Sequence, residues 1–158
     1  MSPLDSLSAA DVMLDVSVRN KGDLLKVLAQ AAASSEYLEK EILEALKARE
    51  ALGATALGKG IGLPHARLPG AVFPIVRFAR LRRAIDFDAQ DAVPVDLIFL
   101  ALWPSTEPNG LLNATSEICR MMRDPHLSDQ LRLAKEPEEV VRLLKQGKDR
   151  SEQDPSNR

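Results

Sequence analysis

Val95-Asp-Leu-Ile-Phe-Leu-Ala-Leu-Trp103 is the stretch of sequence that decides the fold. The run is almost uniformly apolar and ends at Pro104, a residue that cannot donate a backbone hydrogen bond to a sheet. A short, continuous apolar run of this kind is typical of a strand that is covered on both faces, as in an α/β sheet. It falls far short of the ~20 residues that a membrane-spanning helix needs, so no membrane span is expected.

Helical periodicity flanks this strand on both sides in the sequence. The apolar spacing within residues 23–33 and 35–49 predicts two amphipathic helices before it. Three more helices are expected after it, near 111–123, 127–134 and 137–145. A second strand is predicted at 72–81. Because helices and strands do not alternate strictly, we predict an α/β fold with a mixed sheet and helices on both of its faces.

The composition is that of an ordinary globular domain. The chain has 158 residues, of which 45% are hydrophobic and 28% charged, and its formal net charge is -2. There is no long Lys/Arg run, so nucleic acid is not an expected partner. The N-terminus has no apolar segment, so no signal peptide is expected and the cytoplasm is the expected compartment.

Cysteine and histidine are too few to suggest a metal site. The single cysteine, Cys119, cannot form an internal disulfide and is interpreted as a small buried residue on a helix. The two histidines, His65 and His126, are far apart in the sequence. A metal site usually has three or four ligands, so neither a metal nor another cofactor is expected.

Both ends of the chain differ in composition from its middle. We expect a flexible N-terminus over residues 1–10 and a single domain over residues 11–146. The tail, residues 147–158, is polar and charged without apolar periodicity, so disorder is expected there.

His65 is the candidate for chemistry. It lies in Gly60-Ile-Gly-Leu-Pro-His-Ala-Arg67, after a glycine-rich stretch and before a predicted strand. Glycine lets the backbone approach a bound anion, and free N–H groups in such turns can hold phosphate oxygens. A neutral imidazole is also a good nucleophile near pH 7. From these residues alone, a structural histidine and a phosphate-accepting one both remain open.

Other kinds of site are not indicated. The glycine spacing lacks the preceding strand and following helix of a dinucleotide fingerprint, and no G-x-S-x-G elbow occurs. Asp86 and Asp88 are interpreted as a solvated strand end. His126 lies where a helix begins and is interpreted as a solvent-facing or capping residue.

The block from Arg49 to Pro104 resembles the enzyme IIA domains of the bacterial phosphotransferase system. Within them it is most similar to the nitrogen-regulatory and the fructose/mannitol branches. The matching residues are Arg49-Glu50, Gly53-Ala-Thr55, Gly58-Lys-Gly-Ile-Gly-Leu-Pro-His65, Ile85-Asp-Phe-Asp-Ala89 and Pro94-Val-Asp-Leu97. The looser resemblance extends from about Leu24 to Leu144, so residues 11–146 are expected to form one type-2 IIA domain.

The resemblance implies a five-stranded mixed sheet and transient phosphorylation of His65. The implied donor is an HPr-like phosphocarrier. In the sugar branches the acceptor is a IIB domain, whereas the nitrogen branch regulates target proteins according to its phosphorylation state. Arg49 matches the arginine that the family places near the active histidine, where it would complement the phosphate charge. Without the resemblance, Arg49 is simply a cation at a helix C-terminus.

One departure from the family pattern concerns the helix after the apolar strand. The family usually has a second histidine at the start of that helix, and the ungapped register places Leu111 there. The nearby polar side chains are those of Asn109 and Asn113. Because an asparagine can donate a hydrogen bond to phosphate, Asn113 is a candidate supporting residue. Leucine can neither donate nor carry charge, so transfer is expected to be slower or altered.

Three functions therefore remain open, and whether the chain acts as an enzyme stays undecided. The first is a nitrogen-type regulatory phosphoprotein, which we favour because we expect no fused IIB or membrane segment. The second is a sugar-branch component that relays phosphate to a separate IIB domain. The third is a degenerate binding module that keeps the fold and has lost phosphoryl transfer, as Leu111 permits.

Overall fold

The apolar run that begins at Val95 forms the central strand of a six-stranded sheet. The computed structural model describes residues 2–157. The strands are β1 (Val12–Val16), β2 (Ala56–Gly58), β3 (Ile61–Gly62), β4 (His65–Leu68), β5 (Ile75–Ile85) and β6 (Val95–Pro104). The helices are α1 (Lys21–Ala32), α2 (Glu39–Ala51), α3 (Pro108–Met121), α4 (Pro125–Leu133) and α5 (Pro137–Gln153), with short 3-10 helices at Pro3–Ser6, Ala9–Asp11 and Pro155–Asn157.

The sheet is mixed, as predicted. Its order is β1-β5-β6-β3-β2, and β4 also pairs with β6. Strand β6 is antiparallel to β5 and parallel to β3 and β4, while β1 is parallel to β5. Six strands are present where five were expected, because the glycine-rich segment forms three very short strands. Elements of two to four residues carry too little periodicity to be recognised in a sequence.

Alternate side chains of β6 face two separate layers of helices. Ile98, Leu100 and Leu102 pack in the cluster that includes the apolar faces of α1 and α2. Leu97 and Phe99 pack on the opposite side with residues of α3, α4 and α5. These five side chains are at most 1% exposed. The predicted strand covered on both faces, and the helices on both faces of the sheet, are therefore confirmed.

The helices begin at recognisable signals. The side chain of Asn20 accepts a hydrogen bond from the backbone N–H of Asp23 and caps α1. The helix therefore begins at Lys21, two residues before the predicted start at residue 23. Helices α3, α4 and α5 each begin with proline, whose missing N–H has no partner at that position anyway. His126 lies exposed in the first turn of α4, with its backbone N–H bonded to Asp124.

Both chain ends differ from the expected flexible segments. Helix α5 continues through Gly147 to Gln153, where a disordered tail was expected. A side chain at Gly147 would approach Leu127 to within 2.7 Å, so the helix packs closely there. Lys148 binds Asp5 at 2.7 Å. Besides apolar contacts, the packing includes one close approach at a glycine and one ion pair between distant residues, and neither is visible as apolar periodicity.

The N-terminal segment is packed against the domain in the same region. Leu4 and Leu7 are buried, although residues 1–10 were expected to be flexible. Strand β5 is also displaced from its expected range, 72–81, to Ile75–Ile85, and β1 was not predicted at all. Among residues 2–157, no helix combines the length and apolar character that crossing a membrane requires.

Candidate functional site

His65 is the first residue of β4, at the point where this strand joins the end of β6. It pairs with Ala101 of β6. The turn before it needs glycine at position 60, where φ is +84°. A Cβ atom at Gly60 would lie 2.7 Å from the Nη2 atom of Arg132 and 3.3 Å from the carbonyl oxygen of Pro94. The glycine-rich stretch therefore lets the chain turn close to β6, which places His65 beside Ala101 near the end of β6.

The imidazole of His65 is held by its Nδ1 atom. This atom lies 2.8 Å from the carbonyl oxygen of Leu63. A carbonyl can only accept, so Nδ1 carries the hydrogen and donates it. The other nitrogen, Nε2, then has a free lone pair in the neutral ring. The contact therefore selects Nε2 as the nucleophilic atom.

The surroundings of His65 favour the neutral ring. Burial lowers the pKa of the imidazole below its ordinary 6.5, and the charges of Arg49 and Arg67 lower it further. The hydrogen bond to Leu63 and the charge of Glu50 act in the opposite direction. Because the net shift is downward, the ring is unprotonated and nucleophilic at neutral pH.

His65 lines a cavity of about 480 Å³ between α2, β4 and the start of α3. The wall combines apolar side chains with two arginines. Its lining residues are Ala45, Ala48, Arg49, Leu52, His65, Ala66, Arg67 and Leu111. An imidazole in a cavity that two guanidinium groups line can accept a phosphoryl group whose charge the arginines offset.

Arg49 lines the same cavity as His65. It is half-buried in the last turn of α2, and its Nη1 atom donates to the carbonyl oxygen of Gly53 at 3.0 Å. This bond uses one of the guanidinium donors and fixes the side chain to the following turn. The remaining donors are available for an anion in the cavity.

Arg67 is a second cation at the site, and it was not among the site residues predicted from the sequence. It lies two residues after His65 in β4, so both side chains point to the same face of the strand. Its Nη2 atom donates to the carbonyl oxygen of Pro108, the first residue of α3, at 3.3 Å. The two-residue period of a strand is the signal that could have identified it.

Glu50 stabilises the turn that follows Arg49. Its side chain is only 6% exposed and lies 3.0 Å from the Nζ atom of Lys21. It also accepts hydrogen bonds from the backbone N–H and the hydroxyl group of Thr55. These bonds tie the end of α2 to the turn that follows Arg49. Arg49-Glu50 and Thr55 belong to the family motif found in the sequence, but that motif did not predict the role of Glu50.

Leu111 and Asn113 have different positions. Leu111 is buried and lines the cavity. Asn113 is exposed and is not part of the lining. Two residues correspond to about 200° around a helix, so these side chains leave α3 on nearly opposite sides. The expected pairing of Asn113 with the site is therefore not found in the structure.

The remaining candidates lie outside the lining of the cavity that contains His65. Within residues 2–157, no group of three or more His, Cys, Asp or Glu side chains could hold a metal ion. Cys119 is half-buried on α3, and burial raises the pKa of its thiol. Asp86 and Asp88 are exposed at the end of β5.

Comparisons with known proteins agree on one family. The family model described as "Phosphoenolpyruvate-dependent sugar phosphotransferase system, EIIA 2" matches residues 5–147. A nitrogen regulatory protein of Bradyrhizobium diazoefficiens is 36% identical over 144 residues, covering 90% of this chain and 94% of that one. A fructose-specific EIIA component of Haloferax volcanii is 35% identical over 102 residues, covering 65% of this chain and 66% of that one.

Solved structures show the same architecture. The nitrogen regulatory protein IIA-Ntr of Neisseria meningitidis has a TM-score of 0.85 at 30% identity, covering 89% of this chain and 97% of that one. IIA mannitol of Escherichia coli has a TM-score of 0.75 at 19% identity, covering 88% of this chain and 99% of that one. At that identity the mannitol protein supports the fold alone.

Proposed function

Because the chain belongs to the EIIA 2 family of the phosphoenolpyruvate-dependent sugar phosphotransferase system, we propose that it accepts a phosphoryl group on His65 from an HPr-like phosphocarrier. The phosphorylation state then regulates target proteins, as in a nitrogen-type IIA protein. The observation that carries this function is the contact between Nδ1 of His65 and Leu63. It leaves Nε2 free in a cavity lined by two arginines.

The transfer needs no proton movement at the attacking nitrogen. The lone pair of Nε2 attacks the phosphorus of the donor's phosphohistidine, and a new N–P bond forms. The donor's N–P bond breaks, and its electron pair returns to the donor imidazole. Nδ1 of His65 keeps its proton and its bond to Leu63. The ring therefore gains positive character as the phosphoryl group arrives, and Arg49 and Arg67 offset the phosphoryl charge.

Leu111 changes the chemistry around the phosphoryl group. Its side chain can neither donate a hydrogen bond nor share charge, so the arginines are the donors that remain in the cavity lining. An apolar wall also excludes water from one side of the group. We expect transfer to be slower or altered relative to a protein with a second histidine at this position.

The regulatory role is favoured by the comparisons with nitrogen regulatory proteins. The Bradyrhizobium protein of that name matches nearly the whole chain. The fructose-specific relative supports the second candidate, a sugar-branch component that passes phosphate to a IIB domain. A third candidate, a binding module without transfer, is supported only by Leu111 in the cavity.

Phosphorylation in a reconstituted system tests these functions. The protein is incubated with enzyme I, an HPr-type carrier and labelled phosphoenolpyruvate. We expect an acid-labile, base-stable label that is lost in His65→Ala and kept in His126→Ala, which removes an exposed histidine outside the cavity. Absence of label with a competent carrier would exclude both transfer functions and favour the binding module.

A second measurement separates regulation from sugar relay. Labelled protein is mixed with purified IIB domains of the fructose and mannitol types. The relay is supported if this protein transfers phosphate to a IIB domain at a rate comparable with that of the IIA protein that normally serves the same IIB domain. Retention of the label on His65 supports the regulatory role.

A further inference from the structure

A second cavity, of about 670 Å³, lies at the other end of the sheet from His65. We call it the arginine cavity. It is lined by Ser17, Val18, Arg19, Asp23, Arg82, Arg83, Ala84 and Ile85. Ile85 pairs with Val95 at the start of β6, whereas His65 pairs with Ala101. Six residues along a strand span about 20 Å, so the two cavities are separate.

Two of the lining arginines, Arg82 and Arg83, lie in an irregular part of β5. Arg80 pairs with Leu97 and Ile85 pairs with Val95. Five steps along β5 therefore correspond to two steps along β6, and the surplus residues leave the ladder. Bulges of this kind redirect side chains and are common next to functional sites.

The arginines of this strand differ in how they are used. Arg80 is buried and donates to the carbonyl oxygens of Leu131 and Ala134, at 3.0 and 2.6 Å. Arg82 and Arg83 are exposed, and neither has an ion pair within the part of the chain that the structure describes. Their guanidinium groups are therefore available to a ligand.

The single acidic side chain in the lining is already neutralised. Asp23 lies 2.8 Å from Nε and 3.3 Å from Nη2 of Arg19, and this bond to Arg19 is the main reason why the pKa of Asp23 lies below its usual value. The pair leaves the charges of Arg82 and Arg83 uncompensated. The hydroxyl group of Ser17 adds a neutral donor.

We propose that the arginine cavity binds a small organic phosphate with at least two negative charges. Two unpaired guanidinium groups match the geometry of phosphate oxygens. Val18, Ala84 and Ile85 supply an apolar wall for the organic part. The volume lies within the roughly 300–1,000 Å³ that small-molecule sites occupy. This site does not depend on phosphoryl transfer at His65.

The test is a titration of the isotope-labelled full chain, followed by amide NMR. The probes are inorganic pyrophosphate and adenosine diphosphate, which share two phosphate groups and differ in the organic part. We expect both probes to shift the amide signals of residues 17–19 and 82–85. Adenosine diphosphate should bind more tightly, because only it reaches the apolar wall. If the protein bound the two probes with equal affinity, the proposal that the ligand has an organic part in contact with the apolar wall would be contradicted.

Matched variants separate this site from general charge attraction. Arg82→Gln/Arg83→Gln should raise the dissociation constant about tenfold or more, since it removes the charged donors. Arg142→Gln/Arg150→Gln, which removes two exposed arginines of α5 outside the lining, should change it less than twofold. All variants should unfold at the temperature of the unmodified chain. His65→Ala should bind the probes unchanged, so this site can fail or succeed independently of the proposed function.

Two results would overturn the assignment. Amide shifts confined to the neighbourhood of His65 and Arg49 would mean that the anion enters the phosphoryl cavity only. An equal loss of affinity in Arg142→Gln/Arg150→Gln and in Arg82→Gln/Arg83→Gln would mean that the attraction is nonspecific.

Discussion

The Nδ1 atom of His65 lies 2.8 Å from the carbonyl oxygen of Leu63, and this contact decides which ring nitrogen can attack phosphorus. Nδ1 is occupied as a donor, so Nε2 holds the lone pair. We expect the phosphorylated protein to carry its phosphoryl group on Nε2. Coupling between phosphorus and the ring nitrogens in isotope-labelled protein identifies the bonded atom. A phosphoryl group on Nδ1 would show that the contact breaks before transfer.

The reactivity of His65 should persist below neutral pH. Burial lowers the pKa of His65, and Arg49 and Arg67 lower it further. The nucleophilic neutral ring therefore predominates until the pH falls through this lowered pKa. We expect the initial rate of phosphorylation to stay nearly constant from pH 7.5 to 6.5. NMR titration of the imidazole should give a midpoint below 6.5, and a midpoint above 6.5 would contradict the structure.

The same pKa shift has a consequence for stability. The unfolded chain, with an ordinary histidine pKa near 6.5, binds the proton more readily than the folded chain. The contribution of His65 to stability is therefore complete above pH 6.5 and decreases as the pH falls through the folded-state pKa. Denaturant unfolding of the unmodified chain and of His65→Gln should diverge in their pH dependence only below about pH 6.5.

Arg49 should be needed for transfer more than for folding. Loss of a charge-assisted hydrogen bond to the phosphoryl group costs about 1.5–3 kcal/mol, which corresponds to about 10- to 100-fold in rate. We expect Arg49→Ala to slow phosphorylation by that factor and Arg49→Lys to restore part of it. Arg142→Ala, on α5 outside the cavity, serves as the charge-matched control. Equal rates in Arg49→Ala and the control would exclude contact between Arg49 and the phosphoryl group.

The ion pair between Lys21 and Glu50 should hold the active-site turn in place. The side chain of Glu50 is 6% exposed, with the Nζ atom of Lys21 at 3.0 Å. Removing one partner of a buried pair leaves an uncompensated charge and typically costs about 3–5 kcal/mol. Lys21 is partly exposed and water moderates the loss, so we expect about 2–3 kcal/mol for Lys21→Met. Glu41→Ala, an exposed acid on α2, should cost less than about 0.5 kcal/mol in the same denaturant titration.

Leu111 has a testable role in packing and in chemistry. It is buried against Ala101, Trp103 and Ala114. Leu111→Ala should destabilise the fold by about 2–4 kcal/mol, whereas Leu112→Ala, at a 61% exposed neighbour, should cost less than about 0.5 kcal/mol. Leu111→His places a donor in the cavity, and we expect it to change the rate of transfer to or from His65. An unchanged rate, equal to that of Leu112→His, would show that position 111 does not influence transfer.

The sequence by itself determined the fold class and the centre of the site. The apolar run from Val95 to Trp103 predicted a strand buried on both faces, because its length and composition fit neither a membrane span nor a half-exposed strand. The ordered motif from Arg49 to His65 likewise identified two residues that line one cavity, Arg49 and His65. Both signals are local, since they depend on residues that are close together in the chain.

Only the tertiary structure decided the rest, because it depends on contacts between residues that are distant in sequence. The guanidinium group of Arg67 is held by the carbonyl oxygen of Pro108, 41 residues later in the chain, and Glu50 is held by its bonds to Lys21 and Thr55. The short strands before His65, β2 and β3, are fixed by pairing with each other and by the pairing of β3 with β6, rather than by their own composition. The order of the chain ends likewise depends on Lys148 and Asp5, which are 143 residues apart. Local periodicity reports which face of an element is buried, but it does not report which distant residue covers it.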